Sequence, residues 1–198
     1  MRPNPIQWLV VGTLFLSGAE AATPAPWANE PTSVLGIELG TVIRDNIPDC
    51  PQRKRGDLTS PSQFCKRIGT LVREGQGYID FDAIPMGAIL STITAYTYDD
   101  AVGSVHALAP HRNYSDLRAA LVERFGPPST VSTSTVKTTA GVELSSELVE
   151  WVGKAVSIQL HERFERITTC AMIASHLPTL AKHADREDAR IKKAAAEL

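Results

Sequence analysis

The sequence lacks a surplus of either charge: 20 Lys and Arg against 22 Asp and Glu leave a formal net charge of -2. A dedicated nucleic-acid binder carries a basic excess, so that class is disfavoured. It also lacks a long apolar run. The longest, Trp8-Leu9-Val10-Val11 with Leu14-Phe15-Leu16, is broken by Gly12 and Thr13 and falls short of the ~20 residues of a bilayer span. Cysteine is sparse: Cys50, Cys65 and Cys170 form no C-x-x-C, and no histidine cluster accompanies them, so neither a zinc site nor another metal centre is indicated. No G-x-S-x-G or H-E-x-x-H stands in the chain, so no motif nominates a catalytic residue or a cofactor. With 43% hydrophobic and 21% charged residues, the composition excludes a disordered or collagen-like chain.

What is present begins with an export leader at residues 1–21. Arg2 supplies the positive end, the short apolar run follows, and Ala19-Glu20-Ala21 forms an A-x-A signature that places cleavage after Ala21. A retained N-terminal anchor is the alternative. No cysteine follows the cut directly, so lipid attachment is not indicated. A periplasmic or secreted location is expected, and there disulfides form and persist. Cys50 and Cys65 lie 15 positions apart around loop-like sequence, and their bridge is the expected structural link. Cys170 then reads as a small core residue, with pairing to either of the others left open.

Residues 22–33 read as a Pro-rich extended linker, 34–176 as one domain and 177–198 as a polar, Ala-rich helical tail. Val34 to Gly40 is a first strand or strand-to-turn element, and Ile47 to Arg67, with Pro48, Pro51 and Pro61, reads as loop. From Tyr78 the period is two. Ser91–Tyr98 and Val102–Leu108 flank Asp99-Asp100 as a hairpin. Thr130–Thr139, Leu148–Val152, Ala155–His161 and Ile167–Ala174 read as further strands. One amphipathic helix is expected at 115–125: Asn113 or Ser115 caps it, Leu117, Leu121 and Phe125 form its stripe, and Gly126-Pro127-Pro128 ends it. A marginal second helix runs from Leu180, anchored by Leu180 and Ile191. The expected class is α+β, an antiparallel sheet of hairpins with the helix on one face. No internal repeat is evident, though a degenerate one has room in the two hairpin regions.

Gly36-Ile37-Glu38-Leu39-Gly40, the helix closing on Ala120-Leu121-Val122-Glu123-Arg124-Phe125-Gly126-Pro127-Pro128, and Glu150-Trp151 before an alternating strand form a familiar combination. Together with the cysteine pair, they make Val34 to Ala174 resemble small bacterial periplasmic proteins. Their architecture is similar to two-layer outer-membrane assembly lipoprotein modules and β-lactamase-inhibitor-like domains. The resemblance implies a binding or assembly role and carries over no catalytic residue.

The leading candidate site is basic. Arg53, Lys54 and Arg55 lie inside the segment that a Cys50–Cys65 bridge would close, and Lys66 and Arg67 follow it, with Arg73 further on. An envelope protein or anionic envelope component is the expected partner. The bland reading is a solvated loop. Asp80 and Asp82 share a strand face and, with His106 or His111, are the alternative constellation for a small hydrolase. Asp99-Asp100 reads as a turn, His161 as an exposed strand residue and Trp151 as core. An inhibitor or immunity-like protein is the third reading.

Overall fold

Alternation of apolar and polar side chains builds most of this molecule. A computed structural model describes residues 27, 29–43, 47–51, 61–68, 76–82, 86 and 89–197. The leader, Arg53 to Arg55 and Arg73 lie outside these residues. A short hairpin, β1 (Ser33–Val34) and β2 (Ile37–Glu38), is followed by β3 (Cys65–Ile68), β4 (Gln76–Asp82), β5 (Thr92–Tyr98) and β6 (Ala101–Pro110). Helix α1 (Tyr114–Phe125) leads to β7 (Thr130–Lys137), β8 (Glu143–Val152), β9 (Val156–His161) and β10 (Thr169–His176). Helix α2 (Leu177–Ala196) closes the chain.

One eight-stranded antiparallel sheet has the order β3-β4-β5-β6-β10-β9-β8-β7. Two four-strand meanders, each followed by a helix, are joined through the β6–β10 pair. The element order therefore repeats, without a repeat legible in the sequence. The β5–β6 turn uses Asp99 and Asp100 at positive φ (51° and 66°), the pattern of a tight hairpin that follows strand twist.

The register makes the core a pair of rows across the sheet. Ile79, Ala95, Val105, Ala174, Ile158 and Trp151 form one, strand to strand; Phe81, Ile93, Ala107, Met172, Leu160 and Val149 form the other. All are buried, each large side chain contributing about 1.5–3 kcal/mol. Leu117, Leu121 and Phe125 of α1 join this cluster, as do Val34, Ile37 and Leu39 from the N-terminal hairpin. Trp151 donates its Nε1–H to Gly126 O at 2.9 Å. Gly126 turns the chain out of α1 at φ 81°, where a side chain would be strained.

Several expectations change. The fold is mostly β, since the meanders merge into one broad sheet and α2 buries no side chain of its own. Ile191 is 58% exposed and anchors nothing. Leu180 instead leans over Gly103, beside the Tyr98 ring. Asn113 gives α1 no side-chain cap; its Nδ2–H bonds Ile89 O at 2.8 Å. Cys65 to Arg67, the end of the segment read as loop, belong to an edge strand: the backbone ladder pairs β3 with β4, and on its other side the disulfide and two backbone hydrogen bonds tie it to residues 48–50. The described part of the expected linker is docked. Trp27 donates to Phe125 O at 3.0 Å and packs edge-on against that ring, and Glu30 accepts backbone N–H groups of Lys154, Ala155 and Val156 at 3.0, 2.6 and 2.6 Å.

Candidate interaction surface

Alternation that sends one set of side chains into the core sends the other set to the opposite face. There the register aligns Arg67, Asp80, Thr94, His106, Ile173, Gln159, Glu150 and Thr130 as one row through all eight strands. A second row runs Tyr78, Tyr96, Ser104, Ser175, Ser157 and Val152. On the other side stand Thr92, Leu108, Ala171, His161, Leu148 and Ser132. Most of these side chains are half-buried. Helix α2 touches this face at one end, where Gln76 donates to Nε2 of His183 at 2.6 Å and the His183 ring lies 4.6 Å from Tyr98.

The polar groups pair sideways along the rows. Thr94 Oγ1 donates to Asp80 at 2.7 Å; Glu150 accepts from Gln159 at 2.7 Å and from Thr130 at 3.1 Å. The Tyr96 and His106 rings lie 4.6 Å apart, and Phe164, from the β9–β10 loop, lies 5.5 Å from the His161 ring. Burial pushes the Tyr96 phenol up, reinforced by Asp80 and Glu165. Burial also holds His106 and His161 below the ordinary imidazole value; Glu165 opposes this at His106, Glu150 at His161. Nε2 of His161 is enclosed and has no hydrogen-bond partner among the described residues, so this residue is not the exposed histidine expected from alternation. The face thus presents aromatic and aliphatic surface among Asp80, Glu150 and Glu165.

Those residues singled out in the sequence that are described do not form one site. Lys66 is only 6% exposed: its ammonium donates to Ile47 O at 2.5 Å and lies 3.3 Å from Asp49, so it adds nothing to an exposed basic patch. Arg67, its neighbour on the opposite alternation, is exposed and pairs with Asp82. Cys50 and Cys65 form the expected disulfide, and Cys170 is free and fully buried. Burial raises the Cys170 thiol, which suits a core residue rather than a nucleophile. The sulfurs of Cys50 and Cys65 lie close to Asp82, but the disulfide removes the thiolates that a metal would need.

Asp80 and His106 share a row, but β5 stands between them. Two strand spacings of ~4.8 Å keep them from a direct hydrogen bond. His111 belongs elsewhere. Its Nε2 meets Glu162 at 3.1 Å, while Tyr114 and Arg118 of α1 converge on Glu147. The Glu147 N–H donates to Glu162 at 2.8 Å. Burial alone would raise Glu162, yet that N–H and His111 hold it below its ordinary value. This network ties α1 to β8 and the end of β9. Sequence reasoning missed Tyr96, Ile173, Gln159 and Glu150 as neighbours. Alternation marks the face each occupies, but only strand order brings them together. No family model, curated protein or solved structure matches the chain.

Proposed function

We propose that this chain is an exported, non-enzymatic interaction module of the bacterial cell envelope. On this reading it docks a protein partner against the open face of its sheet. The observation that carries the reading is the continuous row from Arg67 to Thr130, flanked by Tyr78 and Tyr96 on one side and by Leu108 and His161 on the other. Half-buried aromatic and aliphatic groups with a few hydrogen-bonded carboxylates are the composition of an interface centre. Asp80, Glu150 and Glu165 make the face complementary to a partner presenting Lys or Arg. The A-x-A leader and the Cys50–Cys65 bridge support export. Among the described residues, no helix is long and apolar enough to cross a membrane.

The test compares envelope proteins retained by the immobilised wild type with those retained by Tyr96→Ala and Ile173→Ala. A partner retained by the wild type and at least tenfold depleted on both variants, with unfolding midpoints close to wild type, is the expected result. Unchanged retention on both, with loss on an Arg53→Ala, Lys54→Ala, Arg55→Ala triple variant, would move the interface to the basic loop and its anionic partner. No retained partner at low or high salt would sink the docking role.

A further inference from the structure

Strand β7 ends the sheet, and nothing in its sequence guards that end. Thr130–Lys137 reads Thr-Val-Ser-Thr-Ser-Thr-Val-Lys, with no proline, no glycine and one charge, at its last position. Its register with β8 runs unbroken through eight pairs, so no bulge twists the edge away. All its residues except Val136 are exposed, Val131 to 48%. Native edges of this length are ordinarily protected by inward charges, prolines, bulges or a covering segment. The opposite edge of the same sheet is covered: Cys50 N–H donates to Lys66 O, and Lys66 N–H to Pro48 O, both at 2.8 Å.

The backbone says which groups of this edge have no partner among the described residues. Thr138 N–H donates to Val142 O at 2.9 Å, bracketing the Lys137–Glu143 pair. In an antiparallel ladder, hydrogen-bonded and non-hydrogen-bonded pairs alternate. Thr130, Ser132, Ser134 and Val136 therefore bond to β8, while Val131, Thr133 and Thr135 turn their N–H and C=O groups outward. These outward groups are a ready template for another strand.

We infer that β7 is a self-association edge, and that a second copy of this chain adds its own β7 antiparallel across a two-fold axis at Thr133. In that register Thr133 meets Thr133 of the second copy, Ser132 meets Ser134, and Val131 meets Thr135. Each outward N–H faces an outward C=O. Cross-strand hydroxyl and β-branched pairs are favourable, and the Lys137 side chains, the strand's only charges, stand at opposite ends. The contact is isologous and closes at two copies, because the covered β3 edge offers no continuation. The surface is separate from the open face, so a dimer presents two such faces side by side in one sixteen-stranded sheet.

The experiment is sedimentation equilibrium of the purified protein over a wide concentration range, with hydrogen exchange on the same samples. The wild type is expected to pass from one to two chain masses, and amide protection is expected to rise selectively at Val131, Thr133 and Thr135. Thr133→Lys sets like charges against each other at the axis and should remain at one chain mass, with an unfolding midpoint like wild type because the side chain is exposed. Mixing Thr133→Lys with Thr133→Glu should restore the two-chain species. A wild type that stays monomeric throughout overturns the inference. So does a dimer indifferent to Thr133→Lys, or an assembly that grows past two copies.

Discussion

The two meanders share an architecture but are secured by different means. The first, β3 to β6, has its outer strand fixed covalently by Cys50–Cys65 and bridged by the 48–50 backbone. Its β6 also pairs with the segment after the N-terminal hairpin, Gly40 N–H donating to Val102 O and Val102 N–H to Thr41 O. Among the described residues the second, β7 to β10, has no disulfide and nothing pairs with the far side of its outer strand. It relies on side-chain packing beneath α1, with Trp151 at the centre, bonded to the end of that helix. A short edge strand with few pairing partners benefits from a covalent clamp. A hairpin of eight pairs with a large buried aromatic does not require one, and its edge is left available.

The sharpest way to break the comparison is to remove the anchor of the second half. Trp151→Ala deletes a fully buried indole and leaves Gly126 O without its donor. It should cost about 3–5 kcal/mol in denaturant unfolding. Exchange protection should fall first in α1, β8 and β9. A loss below about 1 kcal/mol would mean that α1 is held by something other than this contact. The matching cut in the first half is Cys50→Ala with Cys65→Ala. Opening a bridge with a sequence separation of 15 should cost about 3 kcal/mol on the chain-entropy account. Protection should be lost at β3, while β7 to β10 keep theirs. A uniform loss through both meanders would show that they unfold as one unit.

Much of this was legible in the sequence because it is local. Alternation from Tyr78, the Asp99-Asp100 turn and the Leu117, Leu121, Phe125 stripe ending at Gly126 each act within a few residues, and each lies where expected. The joining of β6 to β10 is a non-local choice, and the open face depends on it. Of the described basic residues singled out, Lys66 alone is withdrawn from the surface, and for a different reason. Lys66 and Arg67 look alike in a segment read as loop, but in a strand neighbours point opposite ways, so one is buried and the other exposed. Reading 65–68 as strand would have separated them. Glu30 gave no signal at all, since its three donors lie 124 to 126 positions away.

That carboxylate is a further tie between the halves beside the β6–β10 pair, and disturbing it is the gentlest test of how independent they are. Glu30 leads into the hairpin whose following residues, Gly40 and Thr41, bond to Val102 of the first meander, and it is held by the β8–β9 turn of the second. Gly153 leaves room for it: a Cβ there would lie 2.3 Å from the Glu30 carboxyl carbon. Burial alone would raise the Glu30 pKa, but the N–H groups of Lys154, Ala155 and Val156, with the Lys154 charge, lower it from 4.5. A lowered folded value means that the unfolded chain binds the proton more readily. The contact therefore stabilises the protein fully at neutral pH and loses that contribution as pH falls through the folded value. Glu30→Gln should cost about 1 kcal/mol at neutral pH. Gly153→Ala, which crowds the carboxylate out, should cost a similar amount. In urea unfolding repeated from neutral to strongly acid pH, wild type and Glu30→Gln should converge on the acid side. A gap independent of pH would show that the side chain's shape, rather than its charge, joins the two halves.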